Sequence, residues 1–268
     1  ISAAVHGDEI EGVEIIRRVA QRISAQTMRG TVIAIPVVNV HGFNTGDRYL
    51  PDRRDLNRSF PGSRRGSLAS RLADLMMDQI VSRCDYGIDL HTGSDHRTNL
   101  PQVRADLDDS ETLRLARAIG APGLLHTMSP DGSLRQAATQ RGAKVLRYER
   151  GEAWRFDSQS IGAGVSGVLR VLEATGFIDS AAPEATPSLI ARSSRWVRSG
   201  RSGIIQLEVS LGARVNSGEV VARIYDTFGK KLGDIKSRTA GVVIGHTQHP
   251  LVNRGDAIVH VAEITESG

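Results

Sequence analysis

Apolar positions in the first two-thirds of the chain switch between helical spacing and short continuous runs. One set recurs every three or four residues and predicts an amphipathic helix: Ile10, Val13, Ile16, Val19 and Ile23. Residues 31–40 are apolar almost throughout, which predicts a strand covered on both faces. The same patterns predict helices at 68–81, 110–119 and 161–172, and strands at 2–5, 86–90 and 143–148. This alternation predicts an α/β domain with a mixed central sheet flanked by helices.

The pattern changes near residue 180. Residues 180–188 are rich in proline and small side chains, a composition typical of a boundary between domains. Beyond them the helical period ends, and β-branched runs alternate with glycine-containing turns. We therefore predict an α/β domain over 1–188 and a small all-β barrel or sandwich domain over 189–268.

Composition narrows the class of protein. Apolar residues make up 40% and charged residues 24% of the 268 positions, and no apolar run approaches the roughly 20 residues of a membrane span. Of the 34 basic side chains only four are lysines, so the pI of 9.6 reflects arginine content at a net charge of +4. Basic residues form pairs rather than tracts and aromatics reach only 4%, which argues against a nucleic-acid partner.

The cysteine content and the start of the chain bear on its location. Cys84 is the single cysteine, so no internal disulfide forms, and a reducing, cytoplasmic compartment is expected. The chain begins at Ile1 in the middle of a pattern and without a methionine. We expect that an N-terminal segment is missing from this sequence.

Two histidines and a glutamate form the strongest chemical signal. The tetrapeptide HGDE follows the first predicted strand and gives His6 and Glu9 the spacing H-x-x-E, which lets both side chains approach one cation. His91 ends another strand pattern 85 residues later, and ligand sites in α/β sheets gather at such strand ends. Three ligands leave a fourth zinc position open for water, the arrangement of a catalytic zinc site.

Further polar residues accompany this set. The segment RYLPDRRDLNRSFPG contains Asn57 and Arg58, an amide and a guanidinium that can bind a carboxylate; by itself it would be interpreted as a solvated basic loop. Asp89 lies two positions before His91 and so shares its strand face. We expect Asp89 to accept a structural hydrogen bond, with orientation of the His91 ligand as the alternative.

Three motifs in this order, HGDE, RY followed by DLNR and FPG, and DLHTG, resemble the succinylglutamate desuccinylase/aspartoacylase family. These proteins are zinc-dependent deacylases related to the carboxypeptidase A type of metallopeptidase. The resemblance covers about the first 180 residues, and the β-rich tail matches the family's second domain. It implies one zinc ion per chain, held by His6, Glu9 and His91, and a small-molecule N-acyl amino acid as substrate.

The resemblance also implies roles for individual side chains. Arg48 of the RY pair would polarise the scissile carbonyl, and Asn57 and Arg58 would bind the substrate carboxylate. Glu149 in YERGEA matches the family's general base, with Glu152 as the competitor. Residues 99–104 would form either part of the acyl pocket or a plain surface loop. A zinc carboxypeptidase that cleaves peptides is the alternative enzyme.

The tail also resembles biotinyl and lipoyl carrier domains. Lys230 and Lys231 stand in FGKKLG, which differs from the turns that carry a modified lysine in those domains. We therefore predict an unmodified module that shapes the entrance of the site or provides a contact in a homo-oligomer. A non-catalytic carrier or binding module is the alternative from another class, and biotin or lipoate on either lysine would support it.

Overall fold

A nine-stranded sheet runs through the molecule from the first strand to the last. The computed structural model describes residues 1–179, 183, 185 and 187–267; the predicted boundary at 180–188 falls largely outside these residues. The helices are α1 (Glu11–Ala20), α2 (Val40–Thr45), α3 (Leu68–Gln79), α4 (Ser110–Ile119), α5 (Leu134–Gln140) and α6 (Ser158–Ala174). The strands are β1 (Ser2–Ala3), β2 (Tyr86–Gly93), β3 (Arg97–Ala105), β4 (Gly123–His126), β5 (Lys144–Glu152), β6 (Leu189–Arg198), β7 (Gly203–Leu207), β8 (Arg214–Val215), β9 (Val220–Tyr225), β10 (Lys231–Lys236), β11 (Gly241–Thr247), β12 (Leu251–Val252) and β13 (Ala257–Ser267).

The order of strands in the large sheet is β1-β2-β5-β3-β4-β6-β13-β11-β8. β1, β2 and β5 run parallel, whereas β3 is antiparallel to β5, so the sheet is mixed as predicted. Helices α1, α4 and α6 contribute to the apolar core on one face, and α3 and α5 to the core on the other. The α/β fold class is therefore confirmed.

Side-chain caps explain why two of the predicted helices begin where they do. Asp109 accepts a hydrogen bond from the backbone N–H of Thr112 at 2.8 Å, and α4 ends at Gly120, whose φ of 69° suits glycine. Asp157 caps α6 in the same way through the N–H of Ser160. Helix α4 covers 110–119 as predicted, and α6 extends the predicted 161–172 by a few residues at each end.

The prediction of a two-sided strand at 31–40 is wrong. This segment lies at the outer edge of the sheet beside β1, where backbone hydrogen bonds such as Ala3 N–H to the Ile35 oxygen at 3.0 Å hold it, but it forms no continuous strand. Pro36 has no N–H to donate to a ladder, and Ala34 and Pro36 are exposed. The surface-loop interpretation of 99–104 is also wrong, because these residues belong to β3, where Val103 and Gln102 are fully buried.

Strands from the tail join both sheets. β6 pairs with β4, and β11 pairs with β3, so that β3, β4, β6, β13 and β11 form a closed circuit of pairings. A second sheet has the order β10-β9-β7-β12, and an apolar cluster between it and the tail strands of the large sheet joins Val221 and Ile224 of β9 to Ile258 of β13. In the described part of the chain, no helix has the length and hydropathy required to cross a bilayer.

Candidate metal centre and active site

The three predicted ligands meet at one point, which we call the metal centre. Glu9 Oε1 lies 2.7 Å from His6 Nδ1, and Glu9 Oε2 lies 2.7 Å from His91 Nδ1. One ligand atom from each residue falls within 4.8 Å of the others, and all three side chains are buried. His6 and Glu9 directly follow β1, whose parallel pairing with β2 in the register Ala3 to Leu90 brings both strand ends to the same edge.

A carboxylate stands behind each imidazole. His91 Nε2 lies 2.7 Å from Asp89 Oδ2, and Asp89 Oδ1 accepts a hydrogen bond from Ser2 Oγ at 2.8 Å. His6 Nε2 lies 3.3 Å from Asp55 Oδ1. Both histidines therefore turn Nδ1 toward the centre, and this pairing with carboxylates is typical of zinc-binding histidines. Two imidazole nitrogens and one carboxylate are also the donors of a catalytic zinc site, so the residues present fit this ion.

The protonation states of Glu9 and His91 at the metal centre depend on each other and on their neighbours. Although burial alone would raise the pKa of Glu9, the two histidines hold it well below its ordinary value. Burial alone would lower the pKa of His91, but Asp89 and Glu9 outweigh burial and raise it to about 9. A metal ligand must be a neutral imidazole, so a cation at this point takes the place of a proton.

Arg48 reaches the metal centre from the loop after α2. Its Nη1 donates to Ser94 Oγ at 2.7 Å and lies 3.4 Å from Glu9 Oε1, while its Nη2 donates to Asp55 Oδ2 at 3.0 Å. The side chain is 16% exposed, so the guanidinium is fixed at the centre and still reaches solvent. This is the placement required of a group that binds a carbonyl oxygen.

Glu149 lies on β5 directly beside His91 in the register of β2 and β5. Its carboxylate is 4% exposed, accepts a hydrogen bond from Asn99 Nδ2 at 2.9 Å and lies 2.8 Å from Arg147 Nη2. Burial raises the pKa of Glu149, but Arg147 and Arg104 outweigh burial and hold the pKa below its usual value. Glu149 is therefore ionised at neutral pH, as a general base must be.

Glu152, the competitor, occupies a different position. It lines the wall of the open cleft and forms an ion pair with Arg155.

The neighbours of Glu149 were not predicted from the sequence, although strand alternation places Arg147 on the same strand face as Glu149. The contact with Asn99 depends on the pairing of β3 with β5, which the local pattern did not reveal.

Asn57 and Arg58 form part of a 3₁₀ turn, Leu56–Arg58, beside the centre. Asn57 is 2% exposed, and its Oδ1 accepts the N–H of Leu134 at 2.9 Å. Arg58 is exposed, and its Nη1 donates to the backbone oxygen of Asn57 at 2.6 Å. The residue of this segment that contacts both His6 and Arg48 is Asp55, so the roles of Asn57 and Arg58 stay predictions.

An open cleft of about 840 Å³ adjoins the centre through Arg48 and Asp8. Its walls come from three segments, 45–49, 152–155 and 248–250, together with Asp95 and His96. The third segment belongs to the β-rich tail, in agreement with the prediction that this module shapes the entrance. Asp95, His96 and Trp154 adopt φ values of 54°, 56° and 66°, a left-handed conformation unusual for these residues and frequent at functional sites.

Fold and site together define an α/β protein with three side chains that could hold a metal ion, His6, Glu9 and His91, at the carboxyl end of its parallel strands. The profile of the "Succinylglutamate desuccinylase/Aspartoacylase catalytic domain" matches residues 1–175. A relative from Halomonas elongata, N-alpha-acetyl-L-2,4-diaminobutyric acid deacetylase, is 31% identical over 277 residues, covering 98% of this chain and 81% of the relative. The chain therefore belongs to the succinylglutamate desuccinylase/aspartoacylase family, and the predicted resemblance is confirmed.

Solved structures agree with this assignment. The product-bound ectoine utilization protein EutE (DoeB) from Ruegeria pomeroyi superposes with a TM-score of 0.90 at 26% identity, covering 98% of this chain and 84% of that one. A succinylglutamate desuccinylase/aspartoacylase from Rhodobacter sphaeroides gives a TM-score of 0.89 at 28% identity, covering 98% and 85%. Both similarities extend over the β-rich tail as well as the α/β part.

Proposed function

We propose that this protein is a zinc-dependent hydrolase that cleaves the amide bond of a small N-acyl amino acid. The observation that carries the proposal is the convergence of His6, Glu9 and His91 beside Arg48 and Glu149. The family and the deacetylase relative support the same reaction class. The open cleft of about 840 Å³ is large enough for such a substrate.

His6, Glu9 and His91 would hold the ion. When bound, zinc acts as a Lewis acid and lowers the pKa of water to about 7, which supplies a nucleophile near neutral pH. Asp89 and Asp55 hold the two imidazoles so that Nδ1 of each faces the ion. The remaining tasks of the reaction, which are proton transfer, stabilisation of the oxyanion and binding of the substrate, are performed by side chains of the protein.

Glu149 acts as general base and then as general acid. Its ionised carboxylate accepts the proton of the attacking water and later delivers it to the amide nitrogen, because this nitrogen leaves poorly unless it is protonated. Asn99 and Arg147 hold the carboxylate in place. The Arg48 guanidinium stabilises the negative oxygen that develops on the carbonyl, and loss of such a donor costs about 10² to 10³ in rate.

Asn57 and Arg58 are proposed to bind the α-carboxylate of the substrate. Arg58 has an exposed guanidinium available to an incoming anion, and buried Asn57 fixes the turn through Leu134. The relative from Halomonas elongata is named for an N-acetylated diamino acid, so an N-acetyl amino acid is the first compound to assay. The assay therefore varies both the acyl group and the amino acid of the substrate.

The test is turnover of zinc-loaded protein on a panel of N-acetyl and N-succinyl amino acids, with bound metal measured in parallel. We expect one metal ion per chain, with both metal and activity lost in His91→Ala. His41→Ala is the matched control, because His41 is an exposed histidine of α2 and its loss should change neither quantity. Activity that survives His91→Ala would refute the proposal, and cleavage of long peptides alone would favour a carboxypeptidase.

A further inference from the structure

Two side chains of β3 lie beside Glu149, and both contact strand β11 of the β-rich tail. Asn99 Nδ2 donates to Glu149 Oε2 at 2.9 Å, and Asn99 is also the register partner of Gly245 on β11. Gln102 is the register partner of Glu149, and its Nε2 donates to the backbone oxygen of Ile244 at 3.1 Å. At this point β3 therefore lies between the strand of the general base and a strand of the tail.

The chemistry of the carboxylate fixes the orientation of the Asn99 amide. An ionised carboxylate can only accept hydrogen bonds, so the NH₂ group of Asn99 must face Glu149 and its Oδ1 must point elsewhere. Oδ1 points toward Gly245, because a Cβ placed on this glycine would lie 2.9 Å from it. Asn99 is 7% exposed and Glu149 4%, so bulk water offers the carboxylate little in place of this amide.

The glycine at position 245 provides space rather than an unusual backbone conformation. Its φ is not positive, so the backbone conformation does not require a glycine. A Cβ there would also lie 3.3 Å from the Thr98 oxygen and 3.6 Å from His260 Cβ. A glycine inside a strand is typical of a place where another group approaches closely. The register partner of Asn99 on β5 is Gly151, so both strands beside Asn99 carry a glycine at its level.

The place of Gly245 relative to β3 is itself determined by the tail. Ile244, whose oxygen accepts the hydrogen bond from fully buried Gln102, directly precedes Gly245. On its other edge β11 pairs with β13 from Val242 to His246, and both strands belong to the tail. A displacement of β11 toward β3 would therefore push the Asn99 amide away from its position.

We propose that the β-rich tail positions the general base, because Gly245 of β11 confines the Asn99 side chain to the orientation that holds Glu149. The inference rests on the proposed function, since it gives the tail a part in the same reaction. Asn99 binds Oε2 of the carboxylate and Arg147 binds Oε1, so the two contacts fix both oxygens. A base held in this way keeps one orientation toward the attacking water, and small misplacements of such a group slow a reaction steeply.

The first experiment adds one methyl group, in Gly245→Ala, and measures kcat and KM of the zinc-loaded enzyme on its best N-acyl amino acid. The atom nearest to the new Cβ is the end of a side chain, so the Asn99 amide moves and the protein still folds. We expect kcat to fall about 10- to 100-fold, the loss typical of one hydrogen bond to a charged group. KM should stay nearly unchanged, since neither Gly245 nor Asn99 lines the cleft.

Gly233→Ala is the matched control. Gly233 is a glycine of β10 in the same tail, and a Cβ there meets nothing within 4 Å, so kcat should equal that of the wild type. Rates are expressed per bound zinc ion, so that only folded, metal-loaded protein is compared. If Gly245→Ala lowered the melting temperature but kept the wild-type kcat per zinc, the role of Gly245 would be merely structural and the proposal would be overturned.

A double variant tests whether Gly245 acts through Asn99. Asn99→Ala removes the atom that the new methyl group meets, so Gly245→Ala/Asn99→Ala should have the same kcat as Asn99→Ala alone. Losses that add would show that Gly245 acts by another route. The double variant also replaces Gly245→Ala if that protein does not fold. A double variant that does not fold either, or a wild-type kcat in Asn99→Ala, would overturn the proposal.

A second experiment is independent of turnover. Labelling with ¹⁵N-asparagine leaves few side-chain amides in an NMR spectrum, and the signal of Asn99 is the one missing in Asn99→Ala. Its protons should exchange slowly with solvent in the wild type and in Gly233→Ala, and faster in Gly245→Ala. Faster exchange in Gly245→Ala together with no turnover on any N-acyl amino acid would support the contact of the tail with Asn99 and refute the proposed function. Normal turnover and equal exchange in both glycine variants would refute the inference and leave the function standing.

Discussion

The hydrogen bond between Asp89 and His91 offers the most direct test of zinc binding at the metal centre. The substitution that tests it is Asp89→Asn. Asp89 is 1% exposed, and its two oxygens are both engaged, one at 2.7 Å from His91 Nε2 and the other at 2.8 Å from Ser2 Oγ. Asparagine has nearly the same shape but no charge. The substitution therefore removes the electrostatic part of the contact and leaves the packing in place.

The expected loss of zinc affinity follows from the strength of the hydrogen bond between Asp89 and His91. A hydrogen bond to a charged group contributes about 1.5–3 kcal/mol and a neutral one about 0.5–1.5 kcal/mol, so the loss is about 1–1.5 kcal/mol. This corresponds to about a tenfold lower zinc affinity. An asparagine that turns its NH₂ group toward His91 would favour the wrong tautomer and bring the loss closer to 100-fold.

Zinc affinity should be measured by competition with a chromophoric chelator, with the circular dichroism spectrum as a check on folding. Asp85→Asn is the matched control, because Asp85 is an exposed aspartate that directly precedes β2 and is not among the residues that could hold a metal ion. We expect the control to bind zinc like the wild type. A folded Asp89→Asn protein with wild-type zinc affinity would show that this carboxylate does not orient the ligand.

Three further predictions follow from other parts of the molecule. Glu149→Gln should lower kcat by about 10² to 10⁴ and keep one zinc per chain, measured by turnover and metal analysis; loss of the metal instead would contradict its role as base. Burial, with Arg104 nearby, lowers the pKa of His260 to about 3, so stability falls as pH drops below about 6.5. Denaturant titration should show the wild type losing about 3 kcal/mol more than His260→Gln between pH 7 and pH 4; equal losses would contradict this. Gly162→Ala should stabilise α6 by up to about 1 kcal/mol, since a Cβ there meets nothing within 4 Å, whereas Gly167→Ala should destabilise, its Cβ lying 2.9 Å from the Ile119 oxygen. Equal melting temperatures for the two glycine variants would refute that assignment.

The metal centre could be predicted from the sequence because its geometry follows from local rules. H-x-x-E spacing brings His6 and Glu9 together, and the strand-end position of His91 places it at the same edge. Helix α4 was equally predictable, because its period and its cap at Asp109 agree. The domain limits at 1–188 and 189–268, the cytoplasmic location and the homo-oligomer stay predictions.

What could not be predicted depends on pairing between distant segments. The run 31–40 has strand-like hydrophobicity, but it lies at the sheet edge beside β1, where one of its faces stays exposed and Pro36 interrupts regular pairing. Residues 99–104 contain polar side chains and a proline, so they resemble a loop until β3 is placed between β5 and β4. The pairing of Arg104 on β3 with Arg147 on β5 has no sequence signature, because it requires the register of β3 against β5.

The positions of the buried charged side chains on β2 and β5 explain how the fold remains stable although part of its interior is polar. Along β2 and β5 the side chains alternate, so Ile88, Leu90 and Tyr148 enter the apolar core beneath α1, α4 and α6, while the opposite face carries the chemical groups. On that face His91 and Glu149 form one layer, and Asp89 with Arg147 forms the next. Burial of these charges is unfavourable without compensation, and apolar packing on both faces offsets it: the core beneath α1, α4 and α6 on one side, and on the other the cluster of α3 and α5, to which Val145 of β5 contributes. The two-residue repeat of a strand thus keeps the chemical groups together on one face, and a change in strand register by one residue would turn them toward the other core.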